Sequence, residues 1–223
     1  MASWGIGLIN GKGGVGKSAL SICLAAEAQR RGEKTLLVDL DPQASTLTWG
    51  DVAQEHGEPI PDVIAMGDAV RTQLPGIAEP YDRFFVDSAG RISKRSAGTL
   101  MVVDLALIPI QPSITDVWAL EGVVEMVQSA QELRPHLVAR VVINKKRPGT
   151  VSGATIADAV RKCGLDLMET SIGLREDIGW ALAEGRGPTT HAGGSVAALE
   201  IRRLYDECED LILGVERGEA RAS

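Results

Sequence analysis

Two lysines five residues apart, with glycines between them, define the chemistry of this 223-residue chain. The run Gly11-Lys12-Gly13-Gly14-Val15-Gly16-Lys17-Ser18 fits the phosphate-loop pattern G-x-x-x-x-G-K-[ST] at each constrained position. Glycines let backbone N–H groups turn inward onto phosphate oxygens, and a helix N-terminus behind the loop adds positive potential. Lys17 supplies a point charge for the terminal phosphates, and the Ser18 hydroxyl can ligate Mg²⁺. Lys12 sits too early in the loop to reach those phosphates without crowding Lys17. It either points away from its own nucleotide or is a solvated surface lysine.

Three acids extend the set. Asp39 and Asp41 follow the apolar run Leu36-Leu37-Val38, and Asp87 closes Phe84-Phe85-Val86. Of Asp39 and Asp41, at the end of one strand, one is expected to face the site and the other to support it. The alternative for either is a solvated turn acid before Pro42.

The elements that must position these groups are legible as apolar runs at Gly5–Ile9, Thr35–Leu40, Phe84–Asp87, Leu105–Ile110, Val138–Ile143 and Leu167–Ile172. Helical spacing predicts helices over Ser18–Arg31, Thr115–Leu133, Thr155–Cys163 and Val196–Leu213, and Glu55–Pro61 reads as a loop. Strands alternating with helices imply an α/β chain: a mostly parallel, twisted sheet with helices on both faces, in one domain over residues 1–223. Ligands in such sheets bind beyond the carboxyl ends of the strands. Gly11, Asp41, Asp87 and Asn144 all fall at such ends, so four motifs converge on one site.

These blocks resemble the ParA/MinD family of deviant Walker ATPases, a P-loop NTPase group. Lys12-Gly13-Gly14-Val15-Gly16-Lys17-Ser18 matches its K-G-G-x-G-K-[ST] mark, and Asp39-Leu40-Asp41-Pro42-Gln43 looks like its second motif. Phe84-Phe85-Val86-Asp87 with Ser88-Ala89-Gly90 looks like the Walker B strand and its switch, and Asn144 stands where the family often places an adenine-contacting asparagine. Length and the Gln43–Trp49 segment look closest to small plasmid-type ParA partition ATPases. The resemblance implies nucleotide contacts at Gly11, Lys12, Gly13, Gly14, Val15, Gly16, Lys17, Ser18, Ala19, Gly90 and Asn144, with Mg²⁺ at Ser18, Asp39 and Asp87. It gives Lys12, Lys17 and Asp41 the catalytic roles, Asp41 orienting the attacking water. It also implies an ATP sandwich dimer in which Lys12 reaches phosphates bound by the other copy. Many members carry prolines or Pro-Gly after the Walker B acid, whereas Ser88-Ala89-Gly90 stands here; Gly90 can still offer its N–H to a γ-phosphate.

The net charge of −7 argues against a generally basic nucleic-acid binder, so any DNA contact needs a local patch. The family resemblance implies ATP-dependent, sequence-independent DNA binding, for which Arg175, Arg186, Arg202 and Arg203 are the candidates. Lys145-Lys146-Arg147 and Arg91-Lys94-Arg95 read as solvated surface charge. Cys23, Cys163 and Cys208 are widely spaced and lack a C-x-x-C pair, which disfavours a disulfide framework or an iron–sulfur carrier. His56, His136 and His191 are isolated and suggest neither a triad nor a metal site.

No signal peptide or long apolar span is present, so a cytoplasmic, nucleoid-associated protein is expected, with no operator-binding domain ahead of the loop. The last helix carries Glu200, Asp206, Glu207, Glu209 and Asp210. That acidity disfavours a membrane-binding end. The reading is a ParA-type positioning or partition ATPase, stimulated by a ParB-like or cargo-adaptor partner. It would move a plasmid, a chromosome region or a protein organelle such as a carboxysome. The alternatives are a MinD-like membrane-associated ATPase and a metabolic, dethiobiotin-synthetase-like enzyme.

Overall fold

A computed structural model describes residues 3–147, 149 and 153–216. In chain order the elements are β1 (Trp4–Leu8), α1 (Lys17–Arg30), β2 (Thr35–Asp39), α2 (Ser45–Glu55), β3 (Asp62–Ala65) and α3 (Val70–Ala78). Then follow β4 (Arg83–Asp87), α4 (Lys94–Leu100), β5 (Leu105–Ile110), α5 (Ile114–Trp118), α6 (Glu121–Leu133) and β6 (Val138–Ile143). The last are α7 (Gly153–Lys162), β7 (Asp166–Leu167), α8 (Glu176–Ala183), α9 (Pro188–His191) and α10 (Val196–Glu216).

The seven strands form one sheet in the order β3-β2-β4-β1-β5-β6-β7, and every pairing among the described residues is parallel. Alternation along the strands splits the core in two. Leu36, Val38, Phe84 and Val86 point into the layer that holds α3 to α7, while Leu37 and Phe85 point into the layer of α1 and α10. Burial on both faces explains why β1, β2, β4 and β5 are continuous apolar runs.

Several expectations need correction. The predicted Thr115–Leu133 helix is two, α5 and α6, joined at Ala119-Leu120. Val117, Leu120, Val123 and Val124 all face the core, so apolar spacing runs through the break, which shows in the tight Leu120 N–H to Val117 O and Val123 N–H to Leu120 O bonds. The predicted Leu167–Ile172 strand is cut to β7, because the N–H groups of Glu169 and Thr170 donate to the Glu207 carboxylate instead of to β6. Edge strand β3 and helices α2, α3, α4, α8 and α9 escaped the apolar pattern; β3 is short and partly exposed.

The acids of α10 are not a free polar face. Asp206 pairs with Arg31 at 2.7 Å, Glu207 holds the chain after β7, and Glu209 meets Arg83 at 3.3 Å. Glu200 accepts from the Gly173 N–H at 3.0 Å. Ile201, Leu204, Tyr205, Cys208 and Ile212 bury the other side of the helix, as its spacing predicts. Tyr205 also donates to Glu33, and the Arg83 guanidinium lies 4.1 Å over the Trp4 ring. Cys23 and Cys208 are buried free thiols, and burial pushes the Cys23 thiol up to about 12.

Candidate functional site

The glycine run leaves β1 and enters α1, with Gly16 (φ 97°) as the helix cap and Gly14 at φ 76°. These left-handed angles are open to glycine and strained for other residues. Space imposes a second demand at Gly16: a Cβ there would lie 2.2 Å from Nδ2 of Asn144. That amide donates to the Val15 carbonyl at 2.8 Å, and the Asn144 Oδ1 accepts from the Lys145 N–H. Asn144 therefore braces the loop from below with one of its two amide N–H donors, and the other remains for a base.

Lys145, with φ 56°, stretches its Nζ to the Gly14 carbonyl at 2.7 Å. It belongs to the loop, not to the solvated charge its sequence context suggests. The β6 end thus supplies two braces, and the clue to the second was its place directly after Asn144.

Lys17 is buried, and its Nζ donates to the Lys12 carbonyl at 3.2 Å. Burial pulls its pKa below the usual lysine range, against the opposing charges of Asp87 and Asp41. Asp87 ends β4 in register with Leu8 of β1 and Asp39 of β2. Both its oxygens are buried and lack a hydrogen bond of full geometry among the described residues, with the Ser18 hydroxyl close by. Burial raises its pKa to about 7 and the Asp39 and Asp41 charges add to the rise; the adjoining Ser18 hydroxyl and Lys17 oppose it. A desolvated carboxylate next to a hydroxyl and a lysine is chemically suited to a hydrated divalent cation.

Asp39 sits differently. Its Oδ1 accepts from the Asp41 N–H at 2.9 Å, and its Oδ2 accepts from the Thr46 N–H at 3.0 Å and hydroxyl at 2.5 Å. Both oxygens are spent on the turn into α2, so Asp39 shapes the backbone that carries Asp41. β2 ends at Asp39, so Asp41 lies on a turn, its Oδ1 accepting from the Gln43 N–H. Beyond β4, the Ser88 hydroxyl donates to the Leu8 carbonyl at 2.6 Å, fixing the switch to β1. Gly90 overhangs the loop: a Cβ there would lie 3.8 Å from Lys17 Nζ.

Lys12 is exposed but not unpaired. Its Nζ meets Asp116 Oδ1 at 2.6 Å, a buried acid that sequence reasoning passed over. Beside the loop, Gln111, Pro112, Ser113, Lys145, Arg147 and Leu174 line a cavity of about 400 Å³. Loop, acids, brace and cavity lie together at the carboxyl end of the sheet, where parallel sheets bind ligands.

The family model described as the CobQ/CobB/MinD/ParA nucleotide binding domain matches residues 6–189. The chain belongs to that family. This member is 29% identical to maintenance of carboxysome distribution protein A of Halothiobacillus neapolitanus, over 91% of the chain and 94% of that protein. It is 27% identical to the chromosome-partitioning ATPase Soj of Thermus thermophilus, over the same shares. In fold it is similar to the apo McdA structure from Cyanothece (TM-score 0.73, 16% identity, 95% of this chain and 100% of that one). It is equally similar to MinD with Mg-ADP from Pyrococcus horikoshii (TM-score 0.73, 16% identity, 94% and 97%). The ParA/MinD resemblance drawn from the motifs is borne out, as is the parallel α/β fold. Among the described residues no helix is long and apolar enough to cross a membrane.

The basic candidates fare unevenly. Arg175 Nη2 pairs with Glu200 at 2.7 Å, and Arg186 Nε pairs with Glu58 at 2.7 Å, with Glu184 at 3.8 Å from the same guanidinium. Two of the four DNA-binding candidates are thus paired with acids at the surface. Arg202 and Arg203, on α10, make no ion pair with a described residue, and Arg203 is exposed.

Proposed function

We propose that this chain is a ParA-type positioning ATPase that binds Mg²⁺–ATP and pairs with a second copy across the bound nucleotides. It binds nucleoid DNA without sequence preference in the cytoplasm, and it hydrolyses ATP when a ParB-like or cargo-adaptor partner stimulates it. The observation that supports this reading best is Asp87: a buried carboxylate that lacks a hydrogen bond of full geometry among the described residues, held beside Ser18 and Lys17.

In this reading the Ser18 hydroxyl and Asp87 would hold Mg²⁺, which would supply charge neutralisation to the bound phosphates. The amides from Gly13 to Ala19 cradle the phosphates, and Lys17 leaves the Lys12 carbonyl for the terminal phosphates. Gly90 gives its N–H to the γ-phosphate from above. Asp41, on a turn braced by Asp39, orients the attacking water. The cavity between Gln111 and Leu174 takes the base, against Lys145 and Arg147. Lys12 crosses to the phosphates of the other copy.

The relatives are named for carboxysome distribution and for chromosome partitioning, and in this reading a partner protein chooses the cargo of this chain. The test is ATP turnover by the purified chain with Mg²⁺, with and without DNA and the product of a neighbouring adaptor gene. Sedimentation with a non-hydrolysable ATP analogue runs alongside. Turnover that needs Mg²⁺ and rises with the partner supports the reading. An ATP-bound chain that stays monomeric and ignores DNA at low salt overturns it, and a lipid-sedimentation assay then tests the membrane alternative.

A further inference from the structure

The burial of Lys12 and its partner is lopsided. The Asp116 side chain is 4% exposed and that of Lys12 is 46% exposed, so the lysine covers a buried acid from the solvent side. The other oxygen, Asp116 Oδ2, accepts from the Gln111 N–H at 3.0 Å, which leaves Lys12 as the cation of this carboxylate among the described residues. The Lys12 backbone is tied to the same region. Its N–H donates to Asn10 Oδ1, and the Asn10 amide donates to the Pro109 carbonyl of β5, the strand that leads to Asp116. Lys12 is thus held to its own chain by backbone and side chain together.

A buried carboxylate stripped of its cation is strongly unfavourable, so the ammonium leaves only for a stronger anion. A triphosphate with its extra terminal charge is stronger than a diphosphate. We propose that Asp116 is an internal counter-ion that retains Lys12 in its own chain until a second copy presents a triphosphate, so that pairing depends on ATP and not on any bound nucleotide. The proposal rests on the reading that Lys12 acts across the dimer. Asp116 touches no nucleotide in it and acts through Lys12 alone.

The experiment compares wild type, Lys12→Ala, Asp116→Asn and the double variant by sedimentation, with a non-hydrolysable ATP analogue and with ADP. Asn keeps an acceptor for the Gln111 N–H while removing the charge; Asp116→Ser repeats the test with a smaller acceptor should Asn fold poorly. Asp116→Asn is expected to tighten the ATP-analogue dimer roughly tenfold and to bring out an ADP dimer, with monomer nucleotide affinity unchanged. The double variant is expected to match Lys12→Ala, because the effect of Asp116 passes through Lys12. If Lys12→Ala weakens the dimer but Asp116→Asn leaves it unchanged or weaker, the counter-ion role is overturned while the trans reading stands. If Lys12→Ala leaves the dimer unchanged, the trans reading itself fails, and the counter-ion role with it.

Discussion

Asn144 Nδ2 donates a 2.8 Å hydrogen bond to the Val15 carbonyl across 129 positions of sequence, joining the end of β6 to the phosphate loop. The same amide fills the space that a side chain at Gly16 would need. Loop shape and β6 position are therefore one feature.

Breaking that feature has two expected signatures. Asn144→Ala orphans the Val15 carbonyl and the Lys145 N–H, at a cost of about 1–3 kcal/mol, read by urea unfolding. Gly16→Ala drives a methyl into the Asn144 amide at a left-handed φ. ATP binding, measured by titration calorimetry, should be lost in Gly16→Ala even if the chain stays folded.

Asp87 makes stability depend on pH. Its pKa is raised from 3.8 to about 7 in the fold, so the native chain keeps a proton that the unfolded chain releases. Stability is fully present below about pH 4 as far as this group is concerned. It falls as pH rises toward 7, then levels. Asp87→Asn should remove that slope and stabilise the chain in chelator at pH 7.5, by an amount on the order of a few kcal/mol. The same variant should lose Mg²⁺-dependent turnover. A melt series from pH 4 to 8 for both proteins checks the sign.

Asp41 is expected to separate binding from chemistry. Asp41→Asn keeps an acceptor for the Gln43 N–H and so preserves the turn. ATP affinity should stay within about twofold, while turnover falls by at least about a hundredfold, because the lost group acts in the transition state. Normal turnover would remove Asp41 from the water-orienting role.

DNA affinity should follow α10 and not the paired arginines. Arg203→Glu, alone and with Arg202→Glu, should weaken DNA binding by the ATP-analogue dimer and flatten its salt dependence by about one unit for each phosphate no longer neutralised. Arg175→Gln and Arg186→Gln should change DNA affinity little and lower the melting temperature, since each abandons an acid that the fold has paired. Anisotropy across a salt series reads the first effect and calorimetry the second. The opposite pattern would restore Arg175 and Arg186 as the DNA-binding residues.

The local features were legible from sequence for a local reason. A phosphate loop uses consecutive backbone amides, so Gly11 to Ser18 carries its chemistry in its own spacing, and doubly buried parallel strands such as β2 and β4 show as unbroken apolar runs. Edge strand β3 is partly exposed on both faces and α2 begins at a left-handed Ala44, so neither leaves a periodic trace. Residue pairs were invisible for the complementary reason. Lys12 and Asp116 lie 104 positions apart, and Arg175 and Glu200 lie 25 apart; nothing in the spacing of either announces its partner. Residue types fixed which groups could bind phosphate and metal. Only the tertiary structure decided that Asp39 is spent on a turn, that Asp87 lacks a full hydrogen bond among the described residues, and that Arg175 and Arg186 are paired with acids. A charge's role depends on what the fold brings within about 3 Å of it, and that distance is set by packing and not by sequence separation.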